Sequence, residues 1–451
     1  MVFSTSAISA IARLATPVCR TACKAGMLSR STPIGNQVFQ YKALASHHHF
    51  HTESSVPHRL TATNNKALDC DNRKNASIPE NDKQLATAEP SFTSLTLSGA
   101  GAKGSGYTGL VSELEKQGQL NKLNEIVGAS IGGIIGIPLA LGMKSSDLTD
   151  WMSQSSPKFC AEQMRLQLNT VIVQCLGEHL DQIASYLQVH QNPLQDAQGK
   201  PTSLCEVTTE SLHNLTFRQL ALIRQGSLEG ELKLSNTSPL KRLVISASEY
   251  ERRELELSAE NSPNVSIVTA AIASSSFPKK MMPVVLPRTA FVSEPESSAS
   301  NIELSDAVTT NNTPHVFATG NNRLVVNPFS RKTLLKTDHT LSDSLFEMMI
   351  LKAKSIATGV DLVTSTRLAR FDVQQAVSDP RVHLLFLRVP IAVTDFKAGI
   401  EKLRSIELDT AKQTQKFLTE LKQQPIQPQA IEQSHSLTAL TPEQYMRRKY
   451  Q

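Results

Sequence analysis

The chain has 451 residues, 40% hydrophobic, 19% charged and 5% aromatic, with one tryptophan and a net charge of +5. Such a length accommodates one large α/β domain or two or three ordinary ones, and so few aromatics argue against a surface built to stack nucleic-acid bases. The positive excess is carried by Arg13, Arg20, Lys24, Arg30 and Lys42, ahead of the first acidic residue, Glu53; the remainder is neutral, and no basic field favours nucleic acid as a partner.

Residues 1–90 are rich in Ser, Thr, Ala, Asn and His and lack sustained periodicity, the composition of a disordered or targeting segment. The basic, acid-free opening fits a mitochondrial presequence, the leader of a bacterial protein delivered into a host cell, and equally a tail without an address. His47, His48, His49 and His51 lie in this tail with no ordered framework, so no metal site is expected there. The cysteines, Cys19, Cys23, Cys70, Cys160, Cys175 and Cys205, contain no C-x-x-C pair, which fits a reduced intracellular setting.

Order is predicted to begin near Ser91. Residues 92–97 alternate apolar and hydroxyl side chains as a strand, a glycine run follows at 99–106, and 107–117 has helical spacing. Residues 125–129 form a second short strand and 131–143 a buried helix. That apolar stretch is shorter than the roughly 20 residues of a bilayer span, so no transmembrane helix is expected. Residues 151–223 read as mostly helical with a break near 192–201, 243–248 as a strand, and 265–275 as a strand running into a helix. Further on, 289–300 is a polar loop, 324–326 a strand, 341–370 helical, 382–389 a strand, and 395–423 one charged amphipathic helix. The alternation of strand and helix predicts an α/β fold with a mainly parallel sheet.

Two glycine signatures carry chemistry. The first spans Gly99, Ala100, Gly101, Ala102, Lys103 and Gly104, follows a strand and opens a helix. Its N–H groups could cradle a dinucleotide pyrophosphate or hold the oxyanion of acyl transfer. The dinucleotide reading needs an acidic residue at the end of the next strand, whereas Glu125 begins it. What ends that strand is Gly128-Ala129-Ser130-Ile131-Gly132, a G-x-S-x-G elbow in which a sharp strand-to-helix turn exposes the serine hydroxyl. No histidine after Ser130 lies in a motif marking it as a base, which leaves a carboxylate to take the serine proton.

Together these motifs resemble the patatin-like phospholipases, particularly the secreted bacterial effectors of that family. The resemblance covers roughly residues 91–320: the oxyanion loop 99–104, the elbow 128–132, the stretch 268–278 with its A-x-x-A-S-x-x-x-P pattern, Met282-Pro283-Val284, and Asn214-Leu215-Thr216-Phe217. It implies a three-layer α/β sandwich with a helical insertion, a catalytic domain over 91–320 and a C-terminal extension over 321–451. It also implies a Ser–Asp dyad, in which Asp306 of Asp306-Ala307-Val308 is the base for Ser130. No metal or organic cofactor is implied; the partners would be a phospholipid or other acyl lipid at a membrane surface and, as in some relatives, a protein activator. Ala100 and Ala307 stand where the family has glycine; alanine at a positive-φ position would be strained, leaving a weakened or inactive lipid-binding protein as the alternative. Asp343, Asp361 and Asp372 are expected to be solvated carboxylates.

Overall fold

A computed structural model describes residues 91–423 except 156–159, 197, 235–237, 250–252, 293–299, 330–348, 354 and 356–361. The predicted tail, the stretch 330–348, Asp343 and Asp361 lie outside the described residues. The chain divides into two units, Met1–Glu80 and Asn81–Gln451, and every described residue belongs to the second.

Eight described strands form one mixed sheet: β1 (Ser94–Leu97), β2 (Glu125–Ala129), β3 (Arg242–Glu249), β4 (Arg253–Leu257), β5 (Val284–Pro287), β6 (Asn301–Ser305), β7 (Arg323–Asn327) and β8 (Val382–Phe386). The parallel part runs β3-β2-β1-β7-β8, so the segment beyond residue 320 contributes two strands to the same sheet. At the other end β4, β5 and β6 are antiparallel additions. Strands β1 and β2 are buried at every residue, as parallel strands covered on both faces must be.

The register sorts side chains onto two faces. Leu95, Ile126, Leu243 and Leu324 align on one face and join the main core. Thr96, Val127 and Val244 align on the other, where Val127 and Val244 meet Ala318 and Phe317 in a smaller cluster.

Helix α1 (Tyr107–Lys116) buries Tyr107, Leu110, Val111 and Leu114 and packs against the long C-terminal helix Leu403–Gln423. Helix α2 (Ile131–Ala140) is buried on all sides, apart from partial exposure of Ile131, and lies behind β2 and β3. The insertion supplies α3 (Ser145–Ser153), α4 (Ala161–Leu176), α5 (Leu180–Val189) and α6 (Phe217–Glu229). Thr216 starts α6 through a capping box with Gln219, which accounts for the Asn-Leu-Thr-Phe segment seen in the sequence.

Several boundaries differ from expectation. Residues 265–275 hold only helix α7 (Ile267–Ser275), preceded by an isolated bridge between Thr216 and Ser266 rather than a strand. Helix α8 (Leu362–Ser378) runs past the expected end at 370, and Asp372 within it is fully buried rather than solvated. The single helix expected over 395–423 is two, α9 (Phe396–Glu401) and α10 (Leu403–Gln423). No described helix is long and apolar enough to cross a membrane.

Candidate active site

Strand β3 organises the site. Along one edge it pairs with β2 from Arg242 to Ser246, and along the opposite edge with β4 from Ile245 to Glu249. Ser248 and Glu249 also pair with β6. Because β4 already occupies one edge there, β6 must lie on the edge that β2 vacates beyond Ala129. β2 runs parallel to β3 and β6 runs antiparallel to it, so the two meet end to end. The residue following each strand therefore faces the other: Ser130 after Ala129, Asp306 after Ser305.

The side chains agree with that placement. Ser130 Oγ donates to Asp306 Oδ2 at 2.9 Å, and both residues are buried. Ser130 has φ 51° and ψ −123°, a left-handed conformation unusual for a residue with a side chain and typical of a strained elbow. Small residues make the turn possible, since a Cβ on Gly128 would lie 2.4 Å from the Gly132 carbonyl oxygen. The strain is held by Ser274, whose Oγ accepts the Ser130 N–H at 2.7 Å and donates to the Ser246 carbonyl at 2.5 Å.

Asp306 Oδ1 accepts the Val308 N–H at 2.9 Å, and its own N–H donates to the Ser276 carbonyl at 3.0 Å. Burial pushes its carboxyl up from 3.8 to about 7, against the opposing effect of the bonds from Val308 and Ser130. A carboxylate so placed can exchange a proton near neutrality.

The glycine loop lies at the neighbouring end of β1 and passes into a 3-10 turn, Gly101–Gly106. Gly101 has φ +52°, and a Cβ there would sit 2.3 Å from the Val393 carbonyl oxygen, so glycine is required. Ala100 has φ −146°, and Ala307 is not among the described residues with positive φ. The strain expected from alanine at these positions is therefore absent.

The loop's N–H groups divide into those that are used and those that are free. Gly99 N–H donates to the Asn312 carbonyl at 2.9 Å, Ala102 N–H to Val393 at 2.7 Å, and Lys103 N–H to Ala100 at 3.2 Å. The N–H groups of Ala100 and Gly101 have no acceptor among the described residues. Lys103 Nζ donates to the Val389 carbonyl at 2.6 Å, so its ammonium, with a pKa lowered by burial, braces the loop against the C-terminal segment. Gly104 opens into α1.

Nothing local in the sequence marks Ser274 as a positioning group, although it lies inside the A-x-x-A-S-x-x-x-P pattern. Nor does the sequence mark Asn312, which is buried, bonds the glycine loop through its backbone and has an Oδ1 without a hydrogen-bond partner among the described residues. Val389 and Val393 carry no local signal at all, because their backbone carbonyls do the work.

Beside Gly101 and Ala102 a narrow apolar cleft of about 70 Å³ is lined by Ile131, Ile134, Trp151, Met164, Phe396 and Leu403, among others. Other candidates fall outside the site. Glu125 is paired with Arg242 and accepts both the N–H and hydroxyl of Thr319, at 2.9 and 3.0 Å, which leaves it no role toward a ribose. His315 Nδ1 contacts the Thr313 carbonyl, and His383 packs edge-on against Phe92.

Residues 95–318 match the family model described as patatin-like phospholipase. Among solved structures, VipD from Legionella pneumophila is 14% identical, with 73% of this chain and 67% of that one covered and a TM-score of 0.40. ExoU of Pseudomonas aeruginosa, in its heterodimeric complex with SpcU, is 17% identical, with 73% and 52% covered and a TM-score of 0.35. The chain thus spans about half of the ExoU chain's length. No curated protein sequence matches.

Proposed function

We propose that the chain, whose residues 95–318 match the patatin-like phospholipase family model, is a serine lipid-acyl hydrolase of the phospholipase A type. The observation that carries this reading is the buried 2.9 Å hydrogen bond from Ser130 Oγ to Asp306 Oδ2 at a strained strand-to-helix turn. Ser130 Oγ attacks the ester carbonyl while its proton passes to Asp306 Oδ2. The tetrahedral oxyanion forms against the free N–H groups of Ala100 and Gly101, and the cleft lined by Trp151 and Phe396 takes the first few methylenes of the acyl chain. As the C–O bond breaks, Asp306 returns the proton to the departing alcohol, leaving the acyl group on Ser130. Water then attacks the acyl-serine, giving its proton to Asp306, and the fatty acid leaves as Ser130 regains a hydrogen. A base whose carboxyl titrates near 7 suits both half-reactions.

The test is a fluorophosphonate probe with peptide mapping, together with hydrolysis of phospholipid and of a soluble ester. Label on Ser130 and turnover abolished by Ser130→Ala, with the fold retained, are expected. Turnover surviving in Ser130→Ala rules the mechanism out.

A further inference from the structure

Loop 277–283 joins α7 to β5, and both of its ends are fastened beside Asp306. At one end the Ser276 carbonyl accepts the Asp306 N–H at 3.0 Å; at the other, Val284 pairs with Leu304, just ahead of Asp306 on β6. The loop is a built turn. The N–H groups of Lys280 and Met281 both donate to the Phe277 carbonyl at 3.0 Å, and Lys279 takes φ +62° at the tip. Met281, Val284 and Leu286 pack against the core and hold the turn's base.

What the turn offers to solvent is two cations and an aliphatic side chain. Lys279 and Lys280 are exposed, and neither makes an ion pair among the described residues. Met282 is 85% exposed, and on the following edge strand Val285 is 51% exposed. From Asn261 to Ser293 the sequence contains no Asp or Glu. Arg288, the remaining cation of this stretch, is held by Glu249 at 2.8 Å. A large apolar side chain held in water beside two lysines that make no ion pair among the described residues matches a surface with negative charge outside and hydrocarbon just below. The tip carries no exposed aromatic ring, so it lacks the stacking groups of a nucleic-acid site.

We propose that loop 277–283 docks the protein on an anionic phospholipid surface, with Met282 entering the acyl region and Lys279 and Lys280 taking headgroup phosphates. Docking there brings the Asp306 end of the site to the lipid, and this rests on the acyl-hydrolase reading above.

The experiment uses the full chain carrying Ser130→Ala, so that vesicles stay intact during sedimentation. Phosphatidylcholine vesicles containing phosphatidylserine should pull the protein down, and phosphatidylcholine alone should do so weakly. Lys279→Ser with Lys280→Ser should lower partition onto the anionic vesicles by roughly tenfold or more and remove most of its salt dependence. Met282→Ser should lower it by roughly tenfold with the salt dependence kept. In the background with Ser130 intact, all three changes should leave soluble-ester turnover unchanged. A Met282→Trp protein should show a blue-shifted emission component on anionic vesicles, reporting burial of that side chain. Wild-type partition in the lysine and methionine variants overturns the proposal. So does an emission at position 282 that stays that of water while the protein binds. A Met282→Ser protein that merely dissociates a dimer, with partition unchanged, makes the loop a self-association face and equally overturns it. Failure of soluble-ester hydrolysis by wild type would instead sink the reaction and leave vesicle binding standing.

Discussion

Replacing Asp306 by asparagine should remove activity and add stability, and the two effects together test whether its burial serves the chemistry. Its carboxyl titrates near 7 in the folded chain and at 3.8 when solvated, a difference equivalent to about 4 kcal/mol. Below pH 3.8 the group is neutral in both folded and unfolded chains, and its relative stabilisation of the fold is fully present. Between 3.8 and about 7 the unfolded chain has released a proton that the folded chain keeps, so stability falls as pH rises. Above about 7 both forms are ionised, and the fold carries a buried charge. Asparagine can accept the Val308 N–H and donate to Ser130 Oγ, preserving the shape without the charge. Asp306→Asn should therefore match wild type in stability near pH 3 and exceed it by up to about 4 kcal/mol at pH 8. Urea unfolding followed by circular dichroism across that range measures the gap. Turnover of a soluble ester should fall by roughly 10²–10⁴. In wild type the same carboxyl must be ionised to act, so kcat/KM should climb about tenfold per pH unit below about 7 and level off above it. Parallel stability curves for the two proteins would refute the burial argument, and near-normal turnover in Asp306→Asn would refute the role of the base.

Further outcomes follow from the supports of the site. Gly101→Ala would be forced to φ +52° and would meet the Val393 carbonyl oxygen at 2.3 Å, so it should lose at least about 1–2 kcal/mol in thermal unfolding and slow probe labelling of Ser130. Ser274→Ala leaves the Ser130 N–H and the Ser246 carbonyl unpaired, about 1–3 kcal/mol each, and should lower kcat more than it changes KM, because the elbow loses its anchor rather than the substrate its cleft. A protein beginning at Glu89 should hydrolyse ester at the full-length rate, since the site is assembled from residues 97 onward; a folded, soluble but inactive truncation would show that the earlier residues take part.

The parts of the fold legible in the sequence are those whose signals are local. The strand expected over 125–129 is observed as Glu125–Ala129, because an apolar run there is closed by the glycine-flanked serine. The glycine loop and α1 are legible for the same reason. Strand β4 is not, because Arg-Glu-Leu-Glu-Leu reads as a charged surface, and only pairing along β3 makes it a strand. The break between α9 and α10 is hidden because the amphipathic pattern continues through Lys402. The charge of Asp372 alone points to solvent, yet helix α8 turns it fully inward.

The pairing of serine with aspartate is legible only through family resemblance, and topology explains why. The two residues are 176 positions apart, and nothing at either end of that interval encodes the other. Their proximity depends on β2 stopping at Ser246 of β3 and on β6 taking up the same edge at Ser248 in the opposite direction. Had β6 paired with the other edge, Asp306 would stand across β3 from the serine, its place taken by β4. The same turn also explains the carboxyl's elevated titration, since a residue wedged between two strand ends is shut off from water on both sides. Charge and proximity thus share one origin, an antiparallel strand completing the edge of a parallel sheet. A variant that weakens β6 pairing, such as Leu304→Pro, should therefore lower the carboxyl's titration point and abolish turnover together. Separating those two effects would mean that the aspartate is buried by something other than the strand that delivers it.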